Sequence, residues 1–162
     1  MTLIIRQMNK DDISFVQEIA QTSWHVTYEG IIPKQIQDRF LQAAYNEDRL
    51  LARLQKSPFL IAQMGETIVG FANFSNVNEG QAELLAIYLD PAYQHMGIGS
   101  ALLESGMQKL QGAVSLTVCV EKDNTIGRQF YIAKGFQQVE EFDDLFDGHM
   151  LKTLRLELAL TK

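Results

Sequence analysis

The sequence predicts an α+β fold, with one mixed, mostly antiparallel sheet of about seven strands flanked by helices. The order of patterns is the first reason: helical periodicity early, a meander of strand-like runs, then strand–helix–strand–helix–strand–strand. The second is Leu84 to Leu103, where an apolar run stops at Asp90-Pro91 and a polar turn leads through Gly97-Ile98-Gly99 into an apolar-periodic segment. That is a strand, a turn and a helix N-terminus. Length is the third: 162 residues, 46% hydrophobic and 21% charged, suit one domain over residues 1–162 with a sizeable core.

Leu3 to Met8 reads as the first strand. Asn9 with Asp12 three residues on has the pattern of a helix cap, and Ile13, Val16, Ile19 and Ala20 follow at helical spacing. Ser23 to Pro33 is dense in aromatics and reads as a loop from Trp24, ending at a helix-starting proline. Ile36, Phe40, Leu41 and Ala44 mark a second helix, and Glu47 to Gln55 a third that stops before Ser57-Pro58. Phe59 to Met64 and Thr67 to Phe74 predict two strands joined at Gly65-Glu66. After a turn at Asn76 to Gly80 comes the strand Gln81 to Asp90, with Asp90 as a turn residue. A helix from Gly97 to Gln111 ends at Gly112, and Val114 to Val120 is the next strand. Asp123 to Lys134 is helical and stops at Gly135. Strands over Phe136 to Phe142 and Met150 to Leu160 close the chain, joined by an Asp-rich turn ending at Gly148.

Composition narrows function. Acids outnumber bases 20 to 14, for a net charge of −6, which speaks against nucleic acid and mildly favours a cationic small molecule. No apolar run approaches the roughly 20 residues that span a membrane, and the start is too quickly polar for a signal peptide. The single cysteine, Cys119, forms no internal disulfide, which fits a cytoplasmic setting. Flanked by Val118 and Val120, it is expected as a packed core thiol. His25, His95 and His149 are scattered without ligand spacing, so no metal is expected.

The first turn of a helix has unpaired N–H groups and carries about half a positive charge, so it holds anions. Gly97 and Gly99 let the backbone approach such a group, and the stretch reads as a diphosphate cradle. A dinucleotide fingerprint would need glycine where Leu102 stands, and a mononucleotide loop needs a lysine, absent between Gln94 and Gln108. What remains, Gln94-His95-Met96-Gly97-Ile98-Gly99, closely resembles the Gln/Arg-x-x-Gly-x-Gly/Ala motif with which the GNAT N-acetyltransferase superfamily grips the pyrophosphate of acetyl-coenzyme A. The element order resembles that family over nearly the whole chain, most specifically between Glu83 and Phe136. The resemblance implies acetyl-CoA as co-substrate, held by Gln94, His95, Met96, Gly97, Ile98, Gly99 and Ser100 at the pyrophosphate. It also implies main-chain contacts from Ile87, Tyr88 and Leu89 along the pantetheine arm, and a strand pair splayed by a bulge at the coenzyme site. The side chains of Ile87 and Leu89 read as core in any case.

Asp123 to Phe136 resembles the GNAT pattern Asn-x-x-Ala-x-x-Phe-Tyr-x-Lys-x-Gly-Phe. It departs in two places: Lys134 stands one position late, and Gly127 replaces alanine at a cost of about 1 kcal/mol in helix propensity. The resemblance implies Tyr131 as general acid near the coenzyme sulfur, since a phenol of pKa near ~10 is protonated at neutral pH. A half-buried position on an amphipathic helix is the alternative. Asn124 is a helix cap, a coenzyme contact, or both. Glu83, on an otherwise apolar strand, is by resemblance the base that takes the amine proton through water; a solvent-facing edge glutamate is the alternative.

The segment from Trp24 to Pro33 has a Trp-x-x-x-Tyr-x-Gly-x-x-Pro pattern, similar to bacterial GNAT proteins that include polyamine acetyltransferase-like ones. Trp24 and Tyr28, four apart, suit one helical face for binding a cationic or amide substrate, or aromatic core packing. Glu29, Asp143, Asp144 and Asp147 are able to attract an amine, or form a solvated loop. The function implied is acetyl transfer by direct attack of a primary amine, of a small molecule (polyamine-like favoured) or a peptide, on the thioester. The alternatives are a non-catalytic coenzyme A-binding module and a protein N-terminal acetyltransferase. A homodimer through the last strands is compatible with either enzyme.

Overall fold

A computed structural model describes residues 2–160. β1 (Leu3–Gln7) pairs antiparallel with β2 (Phe59–Met64), which turns at Gly65-Glu66 into β3 (Thr67–Phe74); β3 in turn pairs antiparallel with β4 (Gln81–Leu89). β5 (Ser115–Glu121) lies parallel to β4, and β7 (His149–Ala159) runs antiparallel between β5 and β6 (Gln137–Phe146). The result is the mixed, mostly antiparallel seven-stranded sheet that the sequence predicts, and its strand order is β1-β2-β3-β4-β5-β7-β6.

Alternation along the strands assigns the two faces. Phe59, Ile61, Phe71 and Ala86 point to one face, where α1 (Ile13–Tyr28), α2 (Lys34–Ala44) and α3 (Glu47–Lys56) pack with Val16, Ala20, Tyr45 and Leu50. Leu60, Ala62, Ala72, Leu84, Leu116 and Leu154 point to the other, covered by Ile98, Leu102 and Leu103 of α4 (Ile98–Gln108) and Tyr131 of α5 (Thr125–Ala133). Asn9 and Asp12 form the expected capping box, on a short 3-10 turn that leads into α1. Asp12 is also bound by Arg6 at 2.8 and 2.9 Å. Burial alone would raise the Asp12 carboxyl, but the Arg6 pairing and the Asn9 N–H hold it below its ordinary value.

Three expectations are corrected. Trp24 and Tyr28 lie on the last turns of α1 rather than in a loop, because Trp24 stacks on Phe40 at 4.4 Å and its helix continues to bury that face. Asp143 and Asp144 belong to β6, which extends to Phe146 and leaves only Asp147-Gly148 as the turn; Phe142, Leu145 and Phe146 keep pairing with β7 between the acids. Cys119 is exposed, not a core thiol. Val118 and Val120 face the covered side of β5, so alternation turns Cys119 to the side that no helix covers there. Helix ends move by one to three residues: α4 stops at Gln108, and α5 begins after Asn124.

Candidate active site

β4 and β5 are joined by three rungs, Gln81–Ser115, Ala82–Leu116 and Glu83–Thr117, and then the ladder stops although both strands continue. The cause lies in β4. Asn73 of β3 faces Ala86 and Phe74 faces Leu84, so Leu85 is an extra residue, the bulge that the resemblance implies. Ser75 fixes the strand below it, donating its N–H to the Glu83 carbonyl and accepting the Glu83 N–H on its hydroxyl, each at 2.8 Å. Past the third rung the strands diverge around a cleft of about 640 Å³. Its walls are Leu84 to Leu89, Val118 to Val120, residues of α5 from Thr125 to Tyr131, and Ser23 and Tyr28 of α1. Ser23 Oγ donates to the Leu89 carbonyl at 2.7 Å and pins α1 to the end of β4.

Gln94, His95 and Gly99 also line the cleft. Around them the backbone alternates in hand, with His95 at φ +65° and Gly97 at φ +79°, which turns successive N–H groups to one side as an anion nest. Among the described residues the N–H groups from His95 to Ser100 donate to no protein acceptor, while the Ala101 N–H already bonds Gly97 O at 3.1 Å. Gly99 has a steric reason: a Cβ there would sit 3.2 Å from the Phe130 ring of α5. Ile98 is fully buried and anchors the turn, whereas the Met96 side chain is exposed and off the cleft.

On α5, Asn124 caps the helix through a 3.0 Å bond from the Gly127 N–H. A Cβ on residue 127 would meet that cap at 2.7 Å, which explains glycine where the family pattern has alanine. Tyr131 lies between Phe130 and Phe136, with ring centroids 5.4 and 5.5 Å away, and is 8% exposed. Tyr131 lines the cleft, and its hydroxyl makes no hydrogen bond to the described residues. Burial pushes this phenol well above its ordinary value, and those of Tyr28 and Tyr88, which share the cleft, are raised for the same first reason. Asn124, Ile87, Tyr88 and Leu89 are all in the cleft wall.

The structure does not bring every predicted residue there. Trp24 is sealed in an aromatic cluster with Tyr28, Phe40 and Phe146. Glu29 is exposed on a separate hollow of about 710 Å³, beside His25, Lys34 and His149. Glu83 stands half-buried at the last rung, at the closed end of the splay and outside the cleft wall. Cys119, two residues past that rung, does line the cleft, and its thiol is raised first by burial and then by the Glu83 charge. Residues that the sequence left unmarked also line it: Val26, Leu85 and Ile126 are 50% exposed or more. Each forgoes part of the about 1.5–3 kcal/mol that full burial yields, so the cleft presents an apolar wall with no cover. Nothing in their spacing sets them apart from core positions.

A site with a free N–H nest at one end and an unpaired strand edge leading from it suits a long diphosphate-bearing ligand with an amide arm. Residues 15–136 match the acetyltransferase (GNAT) family. The chain belongs to that family. It is 31% identical, over 88% of its length and 92% of the relative's, to spermidine N(1)-acetyltransferase of Thermoplasma acidophilum. The N-alpha-acetyltransferase RimI of Mycobacterium tuberculosis is 36% identical over 48% of this chain and 51% of its own. The crystal structure of the PaiA N-acetyltransferase of Thermoplasma acidophilum in complex with coenzyme A superposes with a TM-score of 0.88 at 27% identity, covering 99% of this chain and 100% of that one. The seven-stranded mixed sheet, its splay and the flanking helices are therefore the GNAT fold. Among the described residues no group of His, Cys, Asp and Glu is placed to hold a metal, and no helix is long and apolar enough to cross a membrane.

Proposed function

We propose that this GNAT protein moves an acetyl group from acetyl-CoA to a primary amine of a small, polyamine-like molecule by direct attack. The observation that carries the reading is the continuity of the free N–H groups of residues 95–100 with a cleft that reaches the partnerless Tyr131 hydroxyl. Acetyl-CoA supplies the acyl group already activated as a thioester. The N–H groups of His95 to Ser100 bind its pyrophosphate, and Gln94 lies beside them. The edge of β4 from Ile87 to Leu89, free of β5, orients the pantetheine amides as an added strand would be oriented. Glu83 takes the proton of the incoming ammonium through water. The C–N bond forms, the C–S bond breaks, the nitrogen gives its second proton to solvent as the amide forms, and Tyr131 meets the negative charge on sulfur.

Magnitude decides how Tyr131 does this. A thiolate whose thiol has a pKa of about 8.5 is a weaker base than even an unperturbed phenolate, whose phenol has a pKa of about 10, so full proton transfer is uphill by roughly 2 kcal/mol. A raised phenol makes it steeper. Tyr131 therefore stays protonated and donates a hydrogen bond to the developing thiolate, and the product thiol takes its proton from solvent. The polyamine preference is supported by the spermidine acetyltransferase relative and by the net charge of −6.

The test is thiol release from acetyl-CoA across a panel of spermidine, monoamines and peptides. Tyr131→Phe lowers kcat about 100-fold and leaves coenzyme affinity within threefold. Tight coenzyme binding without turnover of any amine overturns the reading in favour of a non-catalytic module. The partial match to RimI supports a second reading, a peptide N-terminus as acceptor; acetylation of peptides in preference to every diamine would establish it.

A further inference from the structure

The hollow of about 710 Å³ lies at the C-terminal end of α1, and it shares one wall residue, Val26, with the cleft. Val26 is 57% exposed, so an apolar side chain forms the rim between the two. Glu29 follows three residues later at the helix end and lines the hollow. Neighbours at that spacing have Cβ atoms about 5–6 Å apart, so a chain leaving the cleft over Val26 meets Glu29 at once.

Gln37 supplies an independent sign of a ligand. It lines the hollow and is 2% exposed, and its Nε2 donates to the Tyr28 and Ile32 carbonyls at 3.3 and 2.9 Å. Both partners are acceptors, so the amide has only one workable orientation. Its Oε1 is left without a donor among the described residues. A buried acceptor in that state costs free energy that an N–H donor recovers.

The end of α1 adds acceptors of the same kind. The Ile31 and Ile32 N–H groups both turn back to the Tyr28 carbonyl, at 2.9 and 3.0 Å, and the carbonyls of Val26 and Thr27 receive no donor among the described residues. Free carbonyls at a helix C-terminus carry about half a negative charge and favour cations. Glu29 has no ion pair among the described residues, whereas His25 lies 2.9 Å from Asp38 and His149 lies 3.1 Å from the Ile31 carbonyl. The opposing charge in the wall is Lys34, on the first turn of α2.

We propose that this hollow holds the second ammonium of a diamine or polyamine whose first amine enters the cleft, with Glu29 and Gln37 setting the preference for that class. The proposal rests on the acetyltransferase reading above and names where such an acceptor is told from a monoamine. The methylene chain crosses Val26. The ammonium charge meets Glu29 and the α1 carbonyls, and one of its N–H groups fills the Gln37 Oε1. A monoamine ends at Val26 and gains none of these contacts.

Putrescine and n-butylamine, which differ by one terminal ammonium, are the probes, with spermidine as the longer acceptor. In the wild type kcat/KM for putrescine and spermidine exceeds that for n-butylamine at least about tenfold. Glu29→Gln cuts that ratio about fivefold through KM for the diamines, and Lys34→Gln, which removes the opposing charge, raises it about twofold. Glu66→Gln, an equal charge change at the β2–β3 turn, keeps the ratio. (4-Aminobutyl)trimethylammonium carries the second charge without its N–H groups, so it falls at least about threefold below putrescine and stays above n-butylamine. A quaternary probe equal to putrescine overturns the part given to Gln37. An unchanged ratio in Glu29→Gln, an equal slowing of both amines, an equal loss in Glu66→Gln, or a wild type indifferent to the second ammonium overturns the subsite while acetyl transfer stands. Failure to acetylate any amine overturns the underlying reading instead.

Discussion

The two ends of the cleft are built from different materials. Toward α4 it is main chain: six residues offer N–H groups from a turn shaped by Gly97 at φ +79° and by Gly99, where a Cβ would lie 3.2 Å from the Phe130 ring. Toward β5 and α5 it is side chains: Tyr28 and Tyr131 line it, and Glu83 stands half-buried just outside its wall. A main-chain site is indifferent to the identity of most side chains around it and intolerant of atoms that keep the ligand away. A side-chain site is the reverse, since its geometry survives substitution and its chemistry does not. The family shares a coenzyme and differs in acceptors, which matches this division of materials.

The sharpest way to break the comparison is Gly99→Val. Its branched side chain cannot fit against the Phe130 ring without moving α5, an overpacking that costs about 1–3 kcal/mol in stability. It also covers the N–H nest, so coenzyme affinity by titration calorimetry falls at least about 100-fold. Gly106→Ala is the matched control: its Cβ would lie 2.1 Å from the Phe74 ring, far along α4 from the nest. It lowers the melting temperature and leaves coenzyme affinity nearly unchanged. Equal effects of the two on binding would mean that packing of α4, not access to its first turn, governs the coenzyme end.

The side-chain end has a signature in pH. Tyr131, Tyr28 and Tyr88 have phenols raised by burial, so the folded state keeps protons that the unfolded chain loses near pH 10. With folded values above the unfolded one, their stabilising contribution is intact below pH 10 and declines as pH rises toward the folded values. Each such phenol removes about 1.4 kcal/mol per pH unit in that window. Melting temperature therefore drops steeply above pH 10, and less steeply in Tyr131→Phe. A Tyr131→Phe profile parallel to wild type would show that this hydroxyl is wet, contrary to its 8% exposure.

The same division explains what was legible in the sequence. Glycines demanded by backbone geometry leave a mark at fixed spacing, so the nest at residues 94–100 and the bounds of Phe59–Met64 and Thr67–Phe74 could be read directly. The splay entered through family resemblance, because a bulge at Leu85 has no residue signature of its own. Cys119 could not be placed, since its burial depends on which face of β5 lacks a helix, a property of the assembled sheet. Asp143 and Asp144 carry the composition of a turn, yet an edge strand paired on one side, exposed on one face and only partly covered on the other, accepts the same residues. Trp24 and Tyr28 show the opposite error: aromatic density resembles a binding loop, but the Trp24 ring completes a core.

Glu83→Gln tests a weaker claim. Glu83 stands at the closed end of the splay and its proposed role runs through water, so its loss removes a proton acceptor without removing a contact. kcat falls about tenfold at neutral pH, and the loss shrinks as pH rises and more of the amine is already neutral. A loss that is constant across pH would assign the Glu83 side chain to positioning rather than to proton transfer.

The smallest expected effect is the most specific to a main-chain site. His95 lines the cleft and is the one non-glycine residue at positive φ in the nest, at +65°. Glycine at this position relieves about 1–2 kcal/mol of left-handed strain and adds back about 0.5–1 kcal/mol of unfolded-chain entropy, so His95→Gly changes stability little or raises it slightly. The imidazole is exposed, and the phosphate contacts assigned to this turn come from its N–H groups. Coenzyme affinity in His95→Gly then stays within threefold of wild type at all salt concentrations. A loss beyond tenfold would mean that the imidazole, not the backbone, meets the phosphates, and the contrast between the two ends of the cleft would no longer hold.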